Sequence, residues 1–383
     1  MIMADIYLCI GTMKTGTTAI QYFLASNRKK LQEQGICYPY LKIPGKKLNN
    51  RNGHFLIYCA DGETEEERQE KEKKVKMKAM DCLREAAEQY DKIILSEELI
   101  WHHSKKFENF WLNTKKDMES IGCNLKVVVY LRRQDEVIES LWKQQVKHLA
   151  KWKIPFDDFV NEERYRYFVC DYYKRLNQIA RVIGKENIIV RPYEYGQFKG
   201  ETGDVVSDFA DTLKIQMDDE FVQPQKRQNV SLEGNYLEIK RCINEVEAYR
   251  EMDDFMEQFI NKLVEEENRP VETSSMFSYE ERVRFVEKFE KDNNKLAQSY
   301  LGQEKLFLKP VKNVPKFVPD QQTLIQDVIH VFTQEMCLQR QKMKKLEDRV
   351  KGLEKLQRLS VKQRLYNKCK RTLGKIEKAS DNK

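Results

Sequence analysis

The sequence predicts an α/β protein with a doubly wound, mostly parallel sheet, followed by a helical region and a C-terminal coiled-coil-like helix. Three observations carry this reading. Short apolar runs recur at 6–10, 93–95, 127–131 and 188–190, and helical patterns separate them. The first run opens directly into a glycine-containing loop that leads to a helix. From 321 onward the apolar positions shift to a seven-residue spacing.

The run at 6–10 has the continuous apolar character of a strand buried on both faces of a parallel sheet. It leads into Gly11-Thr12-Met13-Lys14-Thr15-Gly16-Thr17-Thr18, after which Ile20, Phe23, Leu24 and Leu31 fall at helical spacing. Such a loop forms an anion cradle: backbone N–H groups point into it, and the helix dipole adds partial positive charge. It is a P-loop-like phosphate site with a displaced lysine. In the pattern G-x-x-x-x-G-K-[ST], Gly11 and Gly16 hold the glycine positions and Thr17 stands where lysine is expected. The lysine, Lys14, lies inside the loop. There it sits beside the first group beyond a ribose, which suits a donor with one 5′-phosphate that carries a transferable group.

Next, Gly35-Ile36-Cys37-Tyr38-Pro39 reads as a short strand ended by proline, and a Lys-, Gly- and Asn-rich loop runs to Asn52. Residues 63–90 form a charged helix with Val75, Met80, Leu83 and Ala87 on one stripe and a solvated Glu/Lys face. The strand at 93–95 ends in Ser96-Glu97-Glu98. A helix near 107–121 leads to the strand at 127–131, which ends in Arg132-Arg133-Gln134-Asp135 before a helix through Val137, Leu141 and Gln144. The strand at 188–190 is followed by Arg191-Pro192-Tyr193-Glu194. Ligands of doubly wound sheets gather at the carboxyl ends of the strands, so the loops after Ile10, Leu95, Leu131 and Val190 are the candidate site. From about 232 the pattern is helical: one helix carries Leu237, Cys242, Val246 and Tyr249, a second spans 255–264 and a third 280–300. Residues 311–320 read as a linker. In the basic tail, 321–383, Met336, Met343 and Val350 lie seven apart, and Leu346 and Leu353 fill a second seam.

The net charge of +7 is uneven. Residues 340–383 hold sixteen Lys/Arg against five Asp/Glu, which leaves 52 against 56 in the rest. The body is mildly acidic and the tail carries the basicity. Nine scattered cysteines without a C-x-x-C pair point to reduced thiols in a cytosol. His54, His102, His103, His148 and His330 have no partners at metal-ligand spacing, and His102-His103 reads as a surface pair. No uninterrupted apolar stretch reaches about 18 residues, and no secretory signal is apparent.

Arg132 closes a strand, and Ser140 lies two turns into the following helix. A guanidinium forks onto two phosphate oxygens and a hydroxyl donates to a third, so both can converge on one phosphate. The loop at Gly11 resembles the 5′-phosphosulfate loop of the sulfotransferase family, whose donor is 3′-phosphoadenosine 5′-phosphosulfate (PAPS). The family's R-N-P-x-x-R-x-x-S motif, which holds the 3′-phosphate, matches at Arg132 and Ser140. Arg133-Gln134 replace its Asn-Pro, and Val137 replaces its second arginine. Ser96-Glu97-Glu98, Arg191-Pro192-Tyr193, Asn229-Val230-Ser231-Leu232 and the stretch from Asn294 to Leu301 are similar to a bacterial branch of the family. The resemblance covers roughly residues 5–310, which makes 1–310 a sulfotransferase-like domain. It implies Tyr193 near the adenine and Lys226-Arg227 on a loop over the 3′-phosphate.

The resemblance implies sulfuryl transfer to a hydroxyl, with a glycan or glycolipid as acceptor and the desulfated nucleotide, PAP, as product. Lys14, helped by Thr17 and Thr18, would neutralise the leaving phosphate, so no metal is required. Glu97 is the first candidate for the base and His54, in a polar loop, the second. Two other functions fit parts of the pattern: a P-loop kinase, which wants a lysine after Gly16, and a non-catalytic nucleotide-binding adapter built around the coiled coil. For the tail, the readings are a helix folded back on its domain, a homodimer seam and peripheral contact with anionic membrane. The expected location is cytoplasmic or peripheral on the inner membrane face, with no nucleic-acid partner.

Overall fold

The computed structural model describes residues 3–46, 48, 50–105, 109–147, 152–167, 171–224, 233–246 and 274–380. They fall into two compact units, 1–251 with 270–318, and 252–269 with 319–383. The first unit begins with β1 (Ala4–Cys9), α1 (Thr17–Ser26), α2 (Arg28–Glu33), β2 (Ile36–Cys37), α3 (Glu65–Ala87), β3 (Lys92–Ser96) and α4 (Ile100–His103). It continues through α5 (Phe110–Ser120), β4 (Cys123–Leu131), α6 (Gln134–Lys147), α7 (Phe156–Asn161), α8 (Tyr172–Ile183), β5 (Ile188–Pro192), α9 (Val205–Leu213) and α10 (Gly234–Ile243). A helix over Tyr279–Leu296 follows.

The protein is α/β, with five strands in the order β2-β3-β1-β4-β5, all parallel. In β1, Leu8 stands opposite Leu95 on one side and Val127 on the other. Side chains alternate between the faces of a strand, and here both faces are covered. Ile6, Leu8, Ile93, Leu95, Val127 and Val129 pack under Leu83, Met118 and Leu176 from α3, α5 and α8. Cys9, Ile94, Val128 and Tyr130 face Phe23 and Leu24 of α1 and Phe209 of α9. This two-sided burial is the physical reason the strands read as unbroken apolar runs.

From β1 the chain winds to the edge at β2, returns to β3, and then crosses β1 to reach β4 and β5. The winding direction reverses at the central strand, which opens a crevice over the carboxyl ends of β1, β3 and β4.

Helix α3 starts where the Thr64 side chain accepts from the Glu67 amide at 3.1 Å. Its buried residues are Ala79, Leu83 and Ala86, with Val75, Met80 and Ala87 half-buried at the margin. His102, read as a surface residue, is instead 5% exposed, because the one-turn helix α4 tucks directly beside Ile100 and Trp101 in the core. The inward polar face of α6 meets the 279–296 helix: Arg282 bonds Asp135 at 2.6 Å and also contacts Glu139, and Gln134 pairs with Asn293. The stretch after 310 lies along this unit, with the Phe317 amide donating to the Ser275 carbonyl at 2.6 Å and Lys316 held between Asp157 and Glu281.

In the second unit, Asp320 accepts from the Thr323 amide at 2.9 Å and opens a 60-residue helix, Gln321–Ser380. At 1.5 Å per residue it extends about 90 Å. Its heptad residues stand in solvent, with Met336 71% and Leu353 66% exposed. The helix expected at 255–264 lies outside the described residues. Among the described residues, no helix is long and apolar enough to cross a membrane.

Candidate active site at the carboxyl ends of the strands

Beyond β1, hydrogen bonding to the end of β4 continues and anchors the loop of residues 11–16. The Tyr130 amide donates to the Gly11 carbonyl at 2.8 Å, and the Thr12 amide donates to the Tyr130 carbonyl at 2.8 Å. The Thr12 hydroxyl donates to the same carbonyl, and Thr15, fully buried, donates to the Thr12 carbonyl at 2.5 Å. Thr12 and Thr15 therefore brace the loop from inside. Lys14 sits at the crest in the left-handed region, φ 65°. Gly16 caps α1 with φ 73°, and a Cβ there would stand 2.8 Å from Val205 Cγ1 and 3.3 Å from Tyr193. Thr17 and Thr18 begin α1, so their amides have no intrahelical partner and remain available to an anion. Burial pulls the Lys14 ammonium below the ordinary lysine range, Arg132 adds to the effect, and Glu98 opposes it.

Arg132 reaches this loop from β4. Its guanidinium donates to the Lys14 carbonyl at 3.2 Å and to Glu136 at 3.0 Å, and lies 5.6 Å over the Tyr193 ring. Glu136 is also 3.1 Å from Lys312. Burial works to raise the Glu136 carboxyl, but Arg132 and Lys312 hold it down at about 2. Ser140 lies one turn beyond Glu136 on the same face of α6 and is half-buried. The carboxylate of Glu136 thus sits among cations suited to a phosphate. Arg133 plays a different part. It is buried, pairs with Asp135, and donates to the carbonyls of Lys309 and Pro310, while Glu194 accepts from the Leu308 and Lys309 amides. Together they hold the segment that delivers Lys312.

At the end of β3 the two adjacent glutamates diverge. Glu97 is fully buried, and its carboxylate lies 2.7 Å from His54 Nδ1 and accepts from Arg51 at 3.3 Å and from the Leu99 amide at 3.0 Å. With Nδ1–H donating to Glu97, a neutral His54 ring keeps Nε2 as an acceptor. Glu98 turns to the loop after β1: its backbone covers Gly11, and its carboxylate accepts from the Thr17 hydroxyl. Burial pushes its carboxyl above the ordinary carboxylate range; the Thr17 bond opposes this, and the charge of Glu97 reinforces it.

The structure brings Gly11, Thr12, Lys14, Thr15, Gly16, Thr17, Thr18, Arg132 and Tyr193 to one edge of the sheet, and joins His54 to Glu97 beside it. Arg227 lies outside the described residues. Arg51, Glu98 and Lys312 lie at the same end of the sheet, and the sequence alone does not mark them. Glu98 adjoins Glu97 in the chain. Arg51 and Lys312 lie in polar loop stretches with no periodic signal. Among the described residues, no cluster of three or more His, Cys, Asp or Glu is arranged to hold a metal ion.

No family model matches the chain. An uncharacterized protein of Archaeoglobus fulgidus is 31% identical over 210 residues, a match that spans 53% of this chain and 53% of that protein. The chain thus spans about half the length of this relative. A crystal structure of a sulfotransferase from Alicyclobacillus acidocaldarius aligns over 68% of this chain and 96% of its own, at 16% identity and a TM-score of 0.35.

Proposed function

We propose that this chain is a PAPS-dependent sulfotransferase acting on a hydroxyl of a carbohydrate or glycolipid. One observation carries the reading: Arg132 binds the carbonyl of Lys14, so the crest lysine of the phosphate loop and the cation cluster after β4 form one continuous anion site. Lys14 at the loop crest and Arg132 beside it, with the Tyr193 ring under the guanidinium, would suit a nucleotide with phosphates at both the 3′ and 5′ positions. The tight contacts around Gly16 leave backbone rather than side chain facing the 5′ group.

The donor supplies a sulfuryl group on a phosphate leaving group. The residues of the chain do the rest. Nε2 of His54 accepts the proton of the acceptor hydroxyl, and Glu97 fixes the ring and stabilises the cation that results. Lys14 and the first amides of α1 neutralise the charge that develops on the leaving oxygen. Glu98, whose carboxyl burial pushes above the ordinary carboxylate range, holds the Thr17 hydroxyl at the start of α1.

Thermal denaturation with PAP and with 5′-AMP tests this reading. PAP at about 100 times its dissociation constant should stabilise the protein by roughly 2.7 kcal/mol. 5′-AMP at the same concentration should stabilise less. Equal shifts for the two nucleotides would overturn the 3′-phosphate site.

A further inference from the structure

A cavity of about 1270 Å³ lies between the 40–61 loop and α3, within the first unit. Its volume exceeds the range of about 300–1,000 Å³ usual for small-molecule pockets, so it has room for several sugar rings. Among the described residues, seven Lys/Arg line it against one carboxylate, Asp61. The charge on α3 is therefore not only a solvated face. Lys71, Lys74 and Lys78 follow one stripe of the helix toward the cavity, next to Val75. Lys71 and Lys74 pair with Glu67 and Glu70 on the same helix, exposed i,i+4 pairs that an incoming anion can displace at small cost. Among the described residues, Lys42 and Lys78 have no carboxylate within salt-bridge distance.

The cavity shares a wall with the catalytic dyad. Arg51 lines it and also donates to Glu97, and Phe55, the residue after His54, lines it too. Arg51, bonded to Glu97, thus links the cavity wall to the His54–Glu97 pair.

We propose that this cavity is the acceptor subsite and that its occupant is an anionic oligosaccharide, one that already carries carboxylate or sulfate groups. The proposal rests on the sulfotransferase reading and names its substrate class. An acceptor oxygen held at His54 gains the bond to sulfur, the bond from sulfur to the donor phosphate oxygen breaks, and the hydroxyl proton passes to His54.

Isothermal titration of the full chain with a chondroitin sulfate tetrasaccharide and with neutral maltotetraose, each with and without PAP, tests it. The sulfated probe should bind at least about tenfold more tightly, and added salt should erode the difference. Lys42 and Lys78 are exposed, so the double variant Lys42→Ala/Lys78→Ala should fold normally. It should lose roughly tenfold in affinity for the sulfated probe while PAP binding stays unchanged. PAP binding with equal affinity for the two tetrasaccharides, or with full affinity in the double variant, overturns the acceptor assignment alone. Failure of PAP to bind overturns the sulfotransferase reading and this inference with it.

Discussion

Nδ1 of His54 lies 2.7 Å from Oε2 of Glu97, a carboxylate with no exposed surface. A buried carboxylate that holds one imidazole nitrogen leaves the other to take a proton, and it stabilises the imidazolium once formed. His54→Ala should therefore cut transfer by about 10² to 10⁴. Glu97→Gln should cut it substantially as well, because an amide holds the ring less well and does not stabilise the cation. Both variants should keep PAP affinity. Glu98→Gln, which preserves the contact with Thr17, should keep both donor binding and most of the activity. Steady-state rates and nucleotide titrations decide the matter: an active His54→Ala beside an inactive Glu98→Gln would move the base to Glu98.

Lys14 makes a pH prediction. Burial lowers its pKa below the ordinary 10.5, and a bound phosphate should raise it again. The free protein then loses this charge before the complex does. PAP affinity should fall as pH rises through the lowered value, and binding should take up a proton in that window. Calorimetry in buffers of differing ionisation enthalpy measures that uptake, and Lys14→Ala should abolish it. The same variant should slow transfer by about 10² to 10³, far more than it weakens PAP binding.

Glu136 competes for Arg132 and Lys312 with any phosphate that binds there. Its depressed pKa, about 2, keeps it ionised throughout the useful pH range. Removing that charge should favour the dianion. Glu136→Gln should tighten PAP binding by up to about tenfold, with a smaller gain for 5′-AMP. Weaker PAP binding in this variant would show that Glu136 orients Arg132 rather than opposing the ligand. The pair also adds stability above the ordinary carboxyl pKa, which should be lost as pH falls from about 4.5 toward 2.

The long helix leaves Met336, Met343, Leu346, Val350 and Leu353 more than half exposed in the single chain. A second copy in a coiled coil would cover that seam and place two sets of basic residues side by side. The full chain should sediment as a dimer and bind anionic vesicles at low salt, each basic residue near the surface adding about 1 kcal/mol. Deletion from Gln321 should remove both properties and spare PAP binding. A truncated protein that remains dimeric would place the interface elsewhere, and salt-independent vesicle binding would rule out charge as its cause.

The sheet and the glycine-bounded loop after β1 were legible in the sequence alone. Parallel strands covered on both faces must be apolar throughout, so β1, β3, β4 and β5 announce themselves as contiguous runs. The loop glycines are equally local, since Gly16 must adopt a left-handed conformation against Val205 and Tyr193. Arg132 was also legible, because a strand end in this topology faces the ligand crevice. The sequence offered Glu97 and His54 only as rival bases; the fold made them one unit across 43 residues. It likewise joined Arg133 to the carbonyl of Lys309, 176 residues away, and so brought Lys312 to Glu136. The charges of α3 pattern as a solvated face in sequence, yet Lys71, Lys74 and Lys78 line a cavity that only the tertiary structure forms. Polar loop residues have no periodicity and bury no apolar stripe, so nothing local marks their partners. Only the closing of the chain over the sheet, driven by the apolar faces beneath, decides which of those charges meet.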